Sequence, residues 1–350
     1  MKPLFRDGCV INKKNMNPPS ISIIVPVYNV EPYVEDCIRS VMRQTYDGPM
    51  ECIVVDDCGT DNSMAVVERV IADYNGPISF IILHHEHNRG LSAARNTGMD
   101  AATGDYLFFL DSDDEISKEC LLLMMNQVFE HPNIELVQGL IVSVPDKAYY
   151  HMERYQEIGY KEENMWIRHE FYKWRNSFPC QAWNKLIKTD FIRNNNLIFL
   201  DGIIHEDEHW MFLVVQKLNY YSVINTKTYI HYLRANSIIR TLPNNPQSSI
   251  KSVSQILLNL LPRIDRRFRY GQIVRLLYLF IEKYVAQGGK DYIWKFEKKF
   301  SFLLFQEHRY LGCMLLFLTL HFSWIKGGQH FKRRLIKYSE ETSNIYLKRE

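Results

Sequence analysis

The feature that most constrains this sequence is a set of four short apolar runs separated by stretches with helical periodicity. The runs are Ile21–Val27, 52–55, 78–83 and 106–110, each four to seven residues long. Their length and their β-branched and aromatic residues predict buried strands. Strands that alternate with helices form a mostly parallel sheet with helices on both faces. We therefore expect an α/β domain.

Helical periodicity is clearest after the first run. Pro32 suits the first turn of a helix, because its fixed φ is already helical and its missing N–H would have no partner there. One apolar face then follows at the spacing i, i+3, i+4, i+7 and i+8, formed by Val34, Cys37, Ile38, Val41 and Met42. Further helices are predicted near 63–74, 93–102 and 117–129.

The regular alternation ends after the fourth run. A further strand is predicted within 134–144, and two more at 220–224 and 228–233. The Asn-Asn-Pro sequence at 244–246 is typical of a linker, and 250–350 is rich in Leu, Phe, Arg and Lys and predicts helices. These changes divide the chain into an N-terminal extension (1–19), an α/β domain (20–243) and a helical C-terminal region (244–350).

The composition narrows the classes of function. A net charge of +2 over 350 residues gives no reason to expect nucleic-acid binding. Seven cysteines without a CxxC pair predict neither a disulfide framework nor a zinc site, so we expect reduced thiols. Residues 1–19 contain no apolar segment like that of a signal peptide, so we expect a cytoplasmic protein.

Acidic residues follow two of the predicted strands, at the edge where open parallel sheets bind ligands. Asp56 and Asp57 follow the second run, and the fourth run ends in Asp-Ser-Asp-Asp at 111–114. Residues i and i+2 of an extended chain point the same way, so Asp111 and Asp113 can share one cation. Oxygen ligands suit Mg²⁺ or Mn²⁺. The same run also suits the N-cap of the following helix.

Two other acidic clusters have interpretations that need no cation. Asp56 and Asp57 suit a capped turn, or carboxylates that bind the base or ribose of a nucleotide. The cluster at 206–208 suits a helix N-terminus, where the helix dipole favours negative charge. Familiar nucleotide loops are missing from the sequence: no glycine occurs at 27–30, and 288–291 lacks the spacing of a P-loop.

Four segments together resemble the signatures of family 2 glycosyltransferases, in the family's order. They are 22–29 (Ser-Ile-Ile-Val-Pro-Val-Tyr-Asn), 54–63 (containing Asp-Asp-Cys-Gly-Thr-Asp), 88–96 (Asn-Arg-Gly-Leu-Ser-Ala-Ala-Arg-Asn) and 109–114 (Phe-Leu-Asp-Ser-Asp-Asp). Later matches occur at 183–186, 205–207 and 232–238. The sequence departs from the pattern at Cys58, where the family usually has Gly, and at Gly59, where it usually has Ser. The resemblance covers roughly residues 20–240.

The resemblance implies a GT-A fold, in which a nucleotide-binding α/β half is fused to an acceptor-binding half. It implies that Asp57 contacts the nucleobase, with Asp56 supporting that pocket. Asp111 and Asp113 would hold a divalent cation, Mg²⁺ or Mn²⁺, that bridges the donor diphosphate. Asp207 would be the catalytic base of an inverting transfer.

The same motifs extend the implied donor-binding set to Pro26, Tyr28, Asn29, Asn88, Gly90, Arg95 and Ser112. Lys185 and Arg234 are placed near the diphosphate or the acceptor, although ordinary surface charges would give the same pattern. A packing role for Arg95 also stays open. His205 and His231 are left out of the metal site, because a lone histidine is more often simply hydrogen-bonded.

The C-terminal region has an almost uncharged stretch at 311–325 followed by the basic segment 326–337, with more arginines at 263–269. Apolar stretches flanked by basic residues suit a helix in the interface of an anionic membrane. The alternative is a helical core packed on the α/β domain. The membrane interpretation predicts a peripheral protein on the inner face of the cell membrane.

The resemblance thus predicts an inverting, metal-dependent glycosyltransferase of cell-surface polysaccharide synthesis. A UDP-sugar is the expected donor and a glycan or lipid-linked molecule the expected acceptor. The main alternative is a non-catalytic protein that binds nucleotide sugars or glycans. A nucleotidyltransferase would need a triphosphate loop rich in glycine and basic residues, which is missing after the first run. A membrane scaffold would not need the first 240 residues.

Overall fold

The structure is a computed structural model that describes most of the first 234 residues. The described ranges are 17–145, 159–172 and 179–234, with short pieces at 5–6, 9–10, 252, 255–256 and 259–260. The strands are β1 (Phe5–Arg6), β2 (Cys9–Val10), β3 (Ile21–Val27), β4 (Met50–Asp56), β5 (Ser79–His84), β6 (Tyr106–Phe109), β7 (Glu115–Ile116), β8 (Leu136–Val144), β9 (Gly159–Lys161), β10 (Lys185–Lys188) and β11 (Tyr221–Tyr232). The helices are α1 (Val34–Met42), α2 (Ser63–Ala72), α3 (Leu91–Ala101), α4 (Cys120–Glu130), α5 (Asn164–Tyr172), α6 (Thr189–Asn194) and α7 (Glu206–Lys217).

Nine of the described strands form one mixed sheet. Its order is β5-β4-β3-β6-β10-β8-β11-β7, and β9 also pairs with β11. Strands β3, β4, β5 and β6 are mutually parallel, and β11 is parallel to β8. Because β10 is antiparallel to both β6 and β8, these two run the same way. Six of the nine strands therefore share one direction, which confirms the predicted α/β class and its mostly parallel sheet.

Strand β3 lies at the centre of the parallel half, and its composition follows from that position. All seven of its residues are buried, because helices cover both faces and neither face can be polar. Helix α3 packs closely on this strand. A Cβ atom at Gly98 of α3 would overlap the side chain of Ile24, so the close approach requires glycine there.

Three predicted elements differ from the structure in their bounds. The helix predicted at 117–129 begins only at Cys120, because β7 first pairs with β11. The two strands predicted near the end of the α/β domain form one strand, β11, whose pairing with β8 is irregular between Val223 and Tyr229. Strand β10 was not predicted as a strand, and only its first two residues, Lys185 and Leu186, belong to a motif identified in the sequence.

The first part of the C-terminal region packs on the α/β domain. Ile204 N donates to Ser252 Oγ at 2.9 Å, and His209 Nε2 of α7 lies 2.9 Å from Asn259 Oδ1. Ile256 and Leu260 are fully buried in the common core. The membrane interpretation of 311–325 and the basic residues around it lies outside the described residues. Within the described part of the chain, no helix is both long and apolar enough to cross a membrane.

Candidate active site

The predicted site residues gather at the carboxyl edge of the parallel strands. Asp56 ends β4, Asp111 follows β6, and the central strand β3 lies between these two strands. Asp207 joins them from the first turn of α7. This is the edge where open parallel sheets bind ligands, so the fold brings the three predicted acidic clusters to one place.

Asp57 is buried and accepts four hydrogen bonds. Its Oδ1 lies 2.7 Å from His85 Nδ1 and accepts Arg89 N–H at 2.8 Å. Its Oδ2 accepts Gly90 N–H at 2.8 Å and the Asn88 amide at 3.0 Å. The signature at 88–90 is therefore folded around the carboxylate of the preceding signature. Asp57 fixes the loop that leads into α3.

The two carboxylates at the end of β4 have different surroundings. Both oxygens of Asp57 already have two partners, and its side chain is 4% exposed. The side chain of Asp56 is 17% exposed. Its Oδ1 accepts Cys58 N–H at 3.0 Å, and its Oδ2 lies 3.0 Å from His84 Nδ1. Asp56 is thus the more exposed of the two carboxylates, and the loop at 88–90 encloses Asp57.

His85 is a buried site residue that the sequence interpretation missed. Its Nδ1 faces Asp57, and its Nε2 lies 2.9 Å from Thr97 Oγ1 of α3. The side chain therefore connects the end of β5 to the second half of that helix. A signal was present in the sequence: β4 and β5 are adjacent parallel strands with Asp56 opposite His84, so the residues after each lie side by side.

The run at 111–114 offers carboxylates for a cation. Asp111, Asp113 and Asp114 each contribute an oxygen, and these atoms lie within 4.8 Å of one another. Asp114 is buried, and its oxygens accept Tyr232 N–H at 2.9 Å and the Tyr229 hydroxyl at 3.0 Å. Burial, and then the charge of Asp111, raises the pKa of Asp114 well above its usual range. Asp111 and Asp113 are therefore the pair that fits a hard divalent ion.

The capping alternative for this run does not fit the structure. Helix α4 begins at Cys120, and the residue before it, Glu119, makes no side-chain cap. Asp114 instead holds the end of β11 through its bonds to Tyr229 and Tyr232. The acidic run thus bonds to the end of β11 and does not cap α4.

Arg95 connects the acidic run to α7. Its Nη2 donates to Asp111 Oδ1 at 2.9 Å, and its Nη1 donates to Glu206 Oε1 at 2.9 Å and Asp207 Oδ1 at 2.8 Å. Burial alone would lower the pKa of Arg95, but the charges of Asp207, Asp111 and Glu206 raise it. Because its side chain is 1% exposed, Arg95 fits the packing role that the sequence left open.

Asp207 and Lys185 have pKa values shifted in opposite directions. Burial raises the pKa of Asp207, the charge of Arg95 opposes this, and Glu206 and Asp111 add to it. Burial lowers the pKa of Lys185 to about 7, against the charges of Cys180 and Asp207. The Lys185 ammonium donates to the carbonyl of Gln181. Lys185 is fully buried, so the alternative of an ordinary surface charge does not fit, and its charge lowers the pKa of Asp207.

Arg234 lies beside the acidic run. It forms an ion pair with Asp113, and its guanidinium lies 4.4 Å from the centroid of the Tyr33 ring. The side chain thus joins the end of β11 to the segment before α1. Each of the two carboxylates suited to a cation therefore has an arginine partner, Arg95 for Asp111 and Arg234 for Asp113.

The remaining predicted residues lie in β3 or directly after β3 and β6. Tyr28 follows β3 and is 46% exposed. The side-chain oxygen of Asn29 accepts Thr60 N–H at 2.7 Å, so Asn29 joins two loops. Pro26 and Ser112 are buried.

Left-handed backbone conformations cluster at this edge. Asn29, Cys58, Asn184 and His205 have φ values of 51°, 57°, 58° and 66°. Such values cost a non-glycine residue about 1–2 kcal/mol, and strained residues often gather at functional sites. At Cys58 the conformation explains the glycine that the family usually has there. Cys58 is also one of five described cysteines that are free thiols.

Comparison with known sequences agrees with the motifs. Residues 22–194 match the family described as Glycosyl transferase family 2. The chain is 30% identical over 230 residues to the glycosyltransferase GlyG of Streptococcus pneumoniae. That match covers 63% of this chain and 73% of GlyG. It is also 30% identical over 233 residues to the uncharacterized glycosyltransferase EpsJ of Bacillus subtilis. That match covers 65% of each protein, slightly less than two thirds of EpsJ.

Comparison with solved structures agrees with the fold. The crystal structure of S. aureus TarS 1–349 in complex with UDP-GlcNAc superposes with a TM-score of 0.63, covering 95% of this chain and 92% of that one. The sequences are 19% identical, so the likeness concerns the fold. Together with the ordered motifs and the mixed sheet, these matches show that the chain belongs to family 2 of the glycosyltransferases and has the GT-A fold.

Proposed function

We propose that the protein is an inverting, metal-dependent glycosyltransferase that moves a sugar from a nucleoside-diphosphate donor to an acceptor hydroxyl. The main observation behind the proposal is that Asp111 and Asp207 both form ion pairs with Arg95. A cation-binding carboxylate and a candidate base are thereby held at the same edge of the sheet. This is the arrangement that transfer from a diphosphate leaving group to a hydroxyl requires.

The formal charges of this cluster favour a divalent cation. Asp111, Asp113, Glu206 and Asp207 carry four negative charges against the two positive charges of Arg95 and Arg234, which leaves two negative charges. Mg²⁺ or Mn²⁺ on Asp111 and Asp113 would balance them. A cation held there would neutralise the departing diphosphate. Carboxylate ligands, with donor phosphates completing the shell, are what such ions prefer.

Asp207 supplies the base for the acceptor. As the acceptor oxygen attacks the anomeric carbon, the bond from that carbon to the diphosphate oxygen breaks, and the hydroxyl proton passes to the Asp207 carboxylate. A pKa raised above the usual carboxylate range brings the base closer to the pH at which proton transfer is most efficient. Arg95 keeps the carboxylate oriented towards the cation site.

A UDP-sugar is the proposed donor. The structural neighbour S. aureus TarS was crystallised with UDP-GlcNAc and with UDP. Asp56 at the end of β4 and Tyr28 after β3 are the residues proposed to contact the nucleobase. Asp57 would fix the adjacent loop through its bonds to Asn88 and Gly90.

The proposed acceptor is a glycan or lipid-linked molecule in cell-surface polysaccharide synthesis. This part rests on the family resemblance and on the apolar and basic pattern at 311–337, which suits a peripheral position on the inner face of the membrane.

Turnover of the donor tests the proposal. Release of UDP from UDP-GlcNAc and related UDP-sugars would be followed with wild type, Asp207→Asn and the exposed control Asp73→Asn. At saturating donor and Mn²⁺, the variant without the base should lose about 10²–10⁴-fold in rate, whereas the control should match wild type. Full activity of Asp207→Asn would remove the base assignment. Binding without turnover in wild type would favour the non-catalytic alternative.

A further inference from the structure

The two halves of the proposed site come from distant parts of the sequence. Asp111 follows β6, whereas Glu206 and Asp207 begin α7, more than ninety residues later. Arg95 of α3 contacts all three carboxylates, with one terminal nitrogen on Asp111 and the other on the pair from α7. A single side chain therefore bridges the cation site and the base.

The guanidinium of Arg95 is packed against its neighbours, so it can set the distance between its carboxylate partners. Its carbon lies 5.3 Å from the centroid of the Phe199 ring, and that ring stacks on Trp210 of α7 with centroids 4.6 Å apart. The neighbouring Asn96 also bonds this segment, since its amide donates to Phe199 O and its oxygen accepts Phe199 N–H, both at 2.9 Å. A planar guanidinium presents its N–H groups in a fixed fork, so a shift of one partner is transmitted to the other.

We propose that Arg95 is a positioning residue that sets the spacing between the cation-binding carboxylate Asp111 and the base Asp207, so that cation binding and alignment of the base are coupled. The inference rests on the proposed function, because it assigns Asp111 and Asp207 the roles given there. Since Arg95 is 1% exposed, it acts through these two carboxylates and not by touching the donor.

Arg95 could instead act only by neutralising the negative charge of its partners. Replacing it with lysine distinguishes this electrostatic role from the proposed geometric role. An ammonium keeps the positive charge but lacks the flat fork that can hold two carboxylates on opposite nitrogens. If geometry matters, Arg95→Lys should behave like Arg95→Gln. If charge alone matters, Arg95→Lys should behave like wild type.

The first experiment titrates Mn²⁺ alone into the full chain and measures the free ion by electron paramagnetic resonance. Arg95→Lys and Arg95→Gln should each raise the Kd for Mn²⁺ by about 10–100-fold, the usual effect of losing a group that orients a metal ligand. Arg69→Gln, which breaks an exposed ion pair with Glu35, is the matched control and should leave the Kd unchanged. Wild-type affinity in Arg95→Lys would overturn the proposal.

A second variant keeps the test decisive even if the Arg95 variants unfold. Asp207→Glu keeps both the charge and Arg95, but displaces the carboxylate by one methylene. Coupling through Arg95 predicts a weaker Kd for Mn²⁺, although residue 207 is not a cation ligand, and it predicts no further loss when Arg95→Gln is already present. An unchanged Kd in Asp207→Glu would contradict the coupling.

The results also separate this inference from the proposed function. If wild type binds Mn²⁺ and releases UDP from a donor while both charge-preserving variants bind Mn²⁺ normally, the inference about Arg95 falls and the proposed function stands. If wild type binds no Mn²⁺ and releases no UDP, the proposed function falls, and the inference falls with it.

Discussion

Asp207 is the residue whose chemistry depends most on its surroundings. As a base it works in the deprotonated form, and burial with its acidic neighbours raises its pKa above the ordinary value. Activity should therefore fall as the pH is lowered through a pKa above that of a free carboxylate, about 4. A pH profile of UDP release measures this. Constant activity down to about pH 4 would show that no carboxylate with a raised pKa limits the rate.

The sequence indicated the acidic residues of this edge but not their partners. Asp111, Asp113 and Asp207 were found from motifs, and the structure brings the first and last of them onto Arg95. The difference in surroundings between Asp56 and Asp57 was not predictable in this way. Their difference depends on which carboxylate the loop at 88–90 encloses, and that contact spans more than thirty residues.

At the scale of elements, the apolar runs predicted the parallel half of the sheet. A strand buried on both faces has a nearly continuous apolar sequence, and β3 shows that pattern in full. Short elements were not predictable in the same way. Strand β10 has four residues and two lysines, so neither its length nor its composition indicates a buried strand. Its position between β6 and β8 depends on pairing with both of them.

Close packing of α3 on β3 is expected to determine both stability and the position of Arg95. In Gly98→Ala the new methyl group would overlap Ile24, so the free energy of unfolding should fall by about 1–3 kcal/mol. Because Arg95 lies one turn earlier on the same helix, the Kd for Mn²⁺ should also rise. Urea unfolding and Mn²⁺ titration measure the two effects.

A second substitution provides the control for this prediction. Ile24→Ala removes the atoms that the new methyl group would meet. The double variant should therefore lose less stability than the sum of the two single losses. Additive losses, or a Gly98→Ala protein as stable as wild type, would show that the helix has room at this position.

At the scale of the whole molecule, the few described residues beyond the predicted boundary at 243–244 pack on the α/β domain. Ser252 and Asn259 bond to the start of α7 and the loop before it, next to Asp207. Ile256 and Leu260 belong to the same core as the sheet. The beginning of the C-terminal region therefore supports the helix that carries the base.

Asn259 provides a test of this support. Asn259→Ala removes the partner of the buried His209 ring, and leaving a buried polar group without that partner costs about 1–3 kcal/mol. Thermal unfolding should show a lower Tm, whereas the exposed control Asn225→Ala should match wild type. Equal Tm values for both variants would mean that the contact contributes nothing to the packing of α7.

Metal-dependent donor binding at Asp111 is tested most directly by a calorimetric titration of UDP-, GDP- and dTDP-sugars, with and without Mn²⁺. Wild type, Asp111→Ala and the exposed control Asp73→Ala would be compared. The account predicts that one nucleotide class, expected to be the UDP-sugars, binds to wild type and the control only when Mn²⁺ is present. It predicts that Asp111→Ala loses this binding. Equal donor binding by Asp111→Ala, or binding that ignores Mn²⁺, would contradict a metal-dependent donor site at the end of β6.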